Sequence, residues 1–280
     1  MNRRHFINRL TLAAAGLGLS HANARAAGKG KLSRIGMQLY TVRRELEQDF
    51  EGTLAKVAAL GYREVEFAGY FGHKPDEVKS LLKRLRLDAP AAHVQFAELR
   101  GDLRPSIEAA HVIGHKYLLL AWMAPEERRT LDQYRRLADL CNEAGARMKR
   151  EGIRFAYHNH DFEFAPLEGQ IPYDLLLERT DPSAVKLEMD LYWTVKGGAQ
   201  PVEYFERYPG RFHLLHVKDM DSTPRRFFAD VGRGVIDFKS IFARSRQAGV
   251  RHYFVENDEP AGSPFESLRV SFDYLRQLEF

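Results

Sequence analysis

Short apolar or β-branched runs recur along this chain with helical spacing between them, and that alternation constrains the fold more than any other feature. The runs occupy residues 35–41, 64–68, 91–95, 117–122, 154–157, 185–190, 212–218 and 253–256. Between them, apolar residues fall one helical turn apart, as in Leu54, Val57, Ala58 and Leu60, or Val78, Leu81, Leu82 and Leu85, or Leu131, Tyr134, Leu137, Ala138, Cys141 and Ala144. Gly61, Gly152 and Gly249 each follow a helix and precede a strand, where a residue at ease with positive φ turns the chain. Eight strands alternating with helices imply a parallel sheet. An open, doubly wound sheet usually carries a glycine-rich turn after its first strand. Here the first strand runs into Gln38-Leu39-Tyr40-Thr41-Val42-Arg43 instead. The expected fold is therefore α/β, a single (β/α)8 barrel over residues 33–280 with no second domain.

Residues 1–26 stand outside that pattern. Arg3-Arg4 and Phe6 precede an apolar run at 10–19, and small residues follow at Ala22-Asn23-Ala24-Arg25-Ala26. The arrangement is that of a signal peptide of the twin-arginine kind, which implies export, in a bacterium to the periplasm. The apolar run is short for a bilayer span, so the mature protein is expected to have none. The lone Cys141 excludes an intramolecular disulfide. The formal net charge of +4 belongs to the leader: four of the 42 basic residues lie in it, and the rest equal the 38 acidic residues in number. A nucleic-acid partner, which needs a basic surface, is not expected. A homo-oligomer is compatible with a barrel of this size.

A parallel barrel places its chemistry at the C-terminal ends of the strands. Those ends carry Gln38, Glu66, His93, His158, His160, Asp190, His216, Lys218 and Glu256. Side chains two apart on a strand share a face, so His158 goes with His160 and His216 with Lys218. Imidazoles and carboxylates converging on one buried rim suit a divalent ion such as Mn²⁺, Co²⁺, Fe²⁺ or Zn²⁺. His158, Asp190, His216 and Glu256 are the expected ligands, with His160 the competitor of His158. Gln38, Glu66, His93, Glu163 and Trp193 are expected substrate contacts. Asp219 is read either as orienting a ligand histidine or as a helix cap. Tyr40, Tyr70, Phe71, Tyr192 and Trp193 offer apolar walls for ring faces.

At these residues the chain resembles the xylose isomerase-like barrel superfamily, which includes sugar phosphate isomerases and epimerases. The resemblance rests on Gly36-Met37-Gln38-Leu39-Tyr40, HNHDFEF at 158–164, LEMDLYW at 187–193, His216-Val217-Lys218-Asp219, VGRGVID at 231–237 and Phe254-Val255-Glu256. It implies a metal set that falls on His158, Asp190, His216 and Glu256. Two positions depart from the pattern: His158 stands where a glutamate is usual, and Trp193 where many epimerases carry histidine. Epimerases of this kind use two facing carboxylates, so His158 shifts the expectation toward dehydratases and lyases of keto-sugars or keto-inositols, including 3-keto-glycosides.

The expected chemistry is proton abstraction next to a carbonyl of a sugar-like substrate. Glu256 or His160 takes the proton, and Lys218 or Glu163 protonates a departing oxygen. Isomerase, epimerase and lyase outcomes share that step. Two other classes are weighed: an exported sugar-binding barrel without turnover, and a DNA-repair endonuclease on the same fold. The balanced charge of the mature chain opposes the second.

Overall fold

The computed structural model describes residues 30–280, and the expected leader at 1–26 lies outside them. Eight parallel strands close into a barrel: β1 Gly36–Gln38, β2 Glu64–Phe67, β3 Asp88–Val94, β4 Tyr117–Leu120, β5 Arg154–His158, β6 Val185–Asp190, β7 Phe212–Val217 and β8 His252–Val255. Neighbours pair in order around the ring, and β8 closes on β1. Helices cover the outside, the longest spanning Leu131–Arg150. Gly61 and Gly249 cap their helices at φ 113° and 93°, the left-handed conformation expected of them. Among the described residues no helix is long and apolar enough to cross a membrane.

Most apolar side chains fill the layer between strands and helices. A separate small cluster of Ala91, Tyr117, Leu119, Ala156, Leu214 and Phe254 packs together within the barrel strands. Five of these lie two residues before a rim position: Ala91 before His93, Leu119 before Ala121, Ala156 before His158, Leu214 before His216 and Phe254 before Glu256. Since strand side chains alternate with period two, the apolar plug forms the floor on which the polar rim stands. Phe254 fits because Gly36 has no side chain: a Cβ there would stand 2.6 Å from the Phe254 ring.

Strand register then assembles the rim. Gln38 pairs with Glu66, His158 with Glu188, and Asp190 with His216. Register partners on adjacent strands stand about 5 Å apart, so each pair is in contact by construction. The Asp219 carboxylate accepts backbone N–H bonds from Met220, Gly232, Gly234 and Ile236 at 2.8–3.1 Å. It therefore ties down the loop after β7, and the expected roles as a histidine orienter or helix cap give way to that one.

Candidate active site

The C-terminal mouth of the barrel holds a cleft of about 380 Å³, lined by Tyr40, His93, Ala121, Trp122, His158, His160, His216, Lys218, Glu256 and Asp258. Its polar floor has two tiers. In the lower tier Glu66 Oε1 accepts from Gln38 Nε2 at 2.5 Å and meets His93 Nε2 and His216 Nε2, each at 2.8 Å. Glu188 Oε2 lies 3.0 Å from His216 Nε2 and 3.2 Å from His158 Nδ1. These acceptors favour the proton on Nε2 of His216 and on Nδ1 of His158. In the neutral form of each ring the other nitrogen keeps its lone pair.

Those free nitrogens belong to the upper tier. His216 Nδ1 lies 3.8 Å from Asp190 Oδ2 and 2.8 Å from Glu256 Oε2, and His158 Nε2 lies 4.0 Å from Asp190 Oδ2. Asp190 Oδ1 accepts from the Trp193 N–H at 2.9 Å and caps the helix Leu191–Lys196. That bond fixes the carboxylate and leaves Oδ2 facing the histidines. Asn159 locks the backbone beneath, accepting from Asp190 N at 3.1 Å and donating to Asp190 O at 3.3 Å. Among the described residues Asp190 Oδ2, His216 Nδ1 and Glu256 Oε2 are buried without a well-formed hydrogen bond.

Charge at the floor is unbalanced. Five carboxyl groups, those of Glu66, Glu188, Asp190, Glu256 and Asp258, face one ammonium, Lys218, and four imidazoles. Lys218 Nζ lies 3.0 Å from Asp190, 2.8 Å from Glu256 and 2.9 Å from Asp258. Burial opposes its charge, but these three carboxylates outweigh burial and hold the ammonium well above the usual lysine range. Burial raises the Asp190 carboxyl and pushes Asp258 up to about 6; burial and then the Glu66 charge raise Glu188. Glu66 and Glu256 are also opposed by burial, yet His216, and for Glu256 first Lys218, hold them below the ordinary range. His216 is opposed by burial and raised by Glu188, Glu256 and Glu66. A proton on His216 Nδ1 and a divalent ion compete for the same lone pair. The convergent carboxylate oxygens, the imidazole nitrogens beside them and the excess of buried carboxyl groups over the one ammonium fit a divalent cation, with His158, Asp190 and His216 within ligating reach of one another and Glu256 against His216.

His160 stands beside His158, with ring centroids 5.1 Å apart, and its Nδ1 is buried without a partner. Burial, then Lys218, lowers its value to about 3, so the ring is neutral across the physiological range. Of the expected substrate contacts only His93 lines the cleft. Glu163 is fully buried and spends both oxygens internally, accepting from the Tyr157 hydroxyl at 2.6 Å and the His160 N–H at 2.8 Å. Trp193 rides on the helix that Asp190 caps and packs against His160, Tyr192 and Phe228. Gln38 and Glu66 lie fully buried beneath the cleft. Glu188, Asp258 and Trp122 were not among the expected site residues. The first two sit two positions from Asp190 and Glu256, so the period-two rule that joins His158 to His160 also reaches them.

The chain belongs to the xylose isomerase-like TIM barrel family, whose model matches residues 54–278. A sugar phosphate isomerase/epimerase from Parabacteroides distasonis ATCC 8503 is 30% identical, superimposes with a TM-score of 0.77, and is matched over 89% of this chain and 99% of its own. An inosose dehydratase of Geobacillus kaustophilus (strain HTA426) is 25% identical over 266 residues, 80% of this chain and 86% of that one. The solved structure of an IOLI protein with a binding zinc atom shares the fold, with a TM-score of 0.69 at 14% identity over 86% of this chain and 95% of its own. Fold, relatives and rim together define a sugar-modifying enzyme.

Proposed function

We propose that this protein is a divalent-metal-dependent enzyme that removes a proton next to the carbonyl of a keto-sugar or keto-cyclitol, with elimination of a β-oxygen as the favoured outcome. The observation that carries the proposal is the meeting of Asp190 Oδ2, His216 Nδ1 and Glu256 Oε2 with His158 at one barrel mouth, buried and with one ammonium, Lys218, shared between the two carboxylates. The likeness to inosose dehydratases and to a zinc-binding neighbour supports it. His158, Asp190, His216 and Glu256 would hold the ion. Bound there, a divalent ion supplies Lewis acidity that polarises a carbonyl.

The chain's own groups divide the remaining work. His160, kept neutral by burial and lining the cleft, accepts the proton as the C–H bond breaks. Glu256 is less free for that task, because it is paired with Lys218 at 2.8 Å and would be engaged by the ion. The electron pair moves toward the carbonyl and then forms a C=C bond as the neighbouring C–O bond breaks. Lys218, an ammonium in the cleft, donates a proton to the leaving oxygen. When nothing leaves, the proton returns to the former carbonyl carbon while the hydroxyl proton of the neighbouring carbon passes to the former carbonyl oxygen, which isomerises the substrate.

The test is turnover of the protein lacking residues 1–26 on 3-keto-glycosides, keto-inositols and ketohexoses, with and without chelator. The expected result is chelator-sensitive elimination from one of these classes; no turnover of any, or turnover indifferent to chelator, contradicts the proposal. Export through the twin-arginine route is part of the same proposal. Replacing Arg3 and Arg4 with lysine is expected to retain the protein in the cytoplasm, and unchanged periplasmic delivery would contradict it.

A further inference from the structure

We infer that the cleft carries a second sugar subsite, formed by Trp122 and Tyr40 at its mouth, which takes the outer ring of a glycoside while the reacting ring lies at the polar floor. The inference rests on the keto-sugar proposal above and narrows its substrate class to two-ring glycosides over free monosaccharides.

Among the described residues three large hydrophobics are prominently exposed: Tyr40 at 42%, Trp122 at 56% and Val235 at 57%. Single exposed apolar residues are ordinary. Here, however, both exposed aromatics line one cleft, whose floor is made of imidazole, ammonium and carboxylate groups. Each lies on the segment that directly follows a barrel strand, Tyr40 after β1 and Trp122 after β4, the face that carries function in this architecture. Folding gains little from them there, since an aromatic ring contributes by burial.

Tyr40 is also held in place. The Arg43 guanidinium lies 4.0 Å from its ring centroid, and Arg43 Nη1 donates to Tyr40 O at 2.8 Å and to Asp258 O at 3.1 Å. Asp258 in turn pairs with Lys218 at 2.9 Å, so the aromatic rim is anchored to the polar floor. One cleft thus has a charged end and an aromatic end. A pyranose ring presents hydroxyls around its edge and C–H groups on its faces. The faces stack on aromatic rings while the hydroxyls stay in water. The charged end is matched to a carbonyl and its neighbouring hydroxyl. A monosaccharide seated on the floor has no need of the mouth, whereas a glycoside whose second ring extends outward meets both aromatics.

The experiment compares kcat/KM for a keto-disaccharide with that for the matching keto-monosaccharide, in wild type, W122A and W122F. The ratio of the two is expected to fall about tenfold in W122A and to be largely retained in W122F, which keeps a ring to stack. An unchanged ratio in W122A overturns the inference. A binding measurement separates this from the chemistry. Trp122 is one of two tryptophans, and titration with unoxidised cellobiose is expected to give a saturable change in tryptophan emission that W122A lacks. That change without turnover of any keto-sugar would support the subsite while removing the catalytic proposal. Absence of the change in wild type overturns the subsite.

Discussion

Glu188 Oε2 lies 3.0 Å from His216 Nε2, across the ring from the nitrogen that faces Asp190 and Glu256. The same oxygen lies 3.2 Å from His158 Nδ1. With Glu66 Oε1, 2.8 Å from the same Nε2 of His216, this carboxyl group orients both imidazoles and turns their other nitrogens toward the upper tier.

Glu188 thus acts through the histidines, and its loss is expected to weaken metal binding. Partners of this kind are worth about 10- to 100-fold in affinity. E188Q keeps the volume and puts an amide in place of an acceptor oxygen, and a competition titration against a chelator is expected to show a loss in that range. Affinity equal to wild type would mean that the histidines are oriented by something else.

Gly36 admits the Phe254 ring to the floor of the site. G36A would place a Cβ 2.6 Å from Phe254 Cδ1 and 3.1 Å from Glu64 Cβ. Overpacking of this sort costs about 1–3 kcal/mol. Urea unfolding is expected to show that loss, and F254L introduced with G36A is expected to recover part of it. Additive losses in the double variant would show that the ring is not the cause.

Burial pushes the Glu163 carboxyl up to about 7 from an ordinary 4.5. An acid raised in this way binds its proton more tightly in the folded chain. Its contribution to stability is fully present below the unfolded value and is lost as pH rises through the folded value. Between pH 4.5 and 7 the wild type should lose up to ~3 kcal/mol from this group. E163Q can accept from the His160 N–H and donate to the Tyr157 oxygen, but cannot ionise. Its urea midpoint is expected to fall less than that of wild type from pH 5 to pH 8. Parallel curves would contradict the assignment.

Particular residues mark how far the sequence could be read. The strands were legible because a buried parallel barrel needs continuous apolar runs, and the polar rim residues because they end those runs. Strand limits moved where side chains intervened. β1 stops at Gln38, whose side chain accepts from Tyr40 N at 2.9 Å and starts the turn Leu39–Val42. β3 begins at Asp88 despite Pro90, because the register with β2 shifts between Glu64 and Glu66 and absorbs the residue without an N–H. Glu188 and Asp258 were reachable by period-two reasoning. The internal role of Glu163 was not: its partners, Tyr157 and the His160 N–H, meet it only through the loop after β5, and no spacing rule describes that loop. The openness of Trp122 likewise depends on how far β4 extends before the chain turns.

Metal binding by the protein lacking residues 1–26 is the decisive measurement, made on wild type, D190A and H216A by elemental analysis and by titration after demetallation. The wild type is expected to hold one divalent ion per chain, and each variant to bind it at least about 100-fold more weakly, losing solvent-deuterium exchange into keto-sugars at the same time. Demetallated wild type that still exchanges, or variants that bind as tightly as wild type, would contradict a metal centre at the mouth of this barrel.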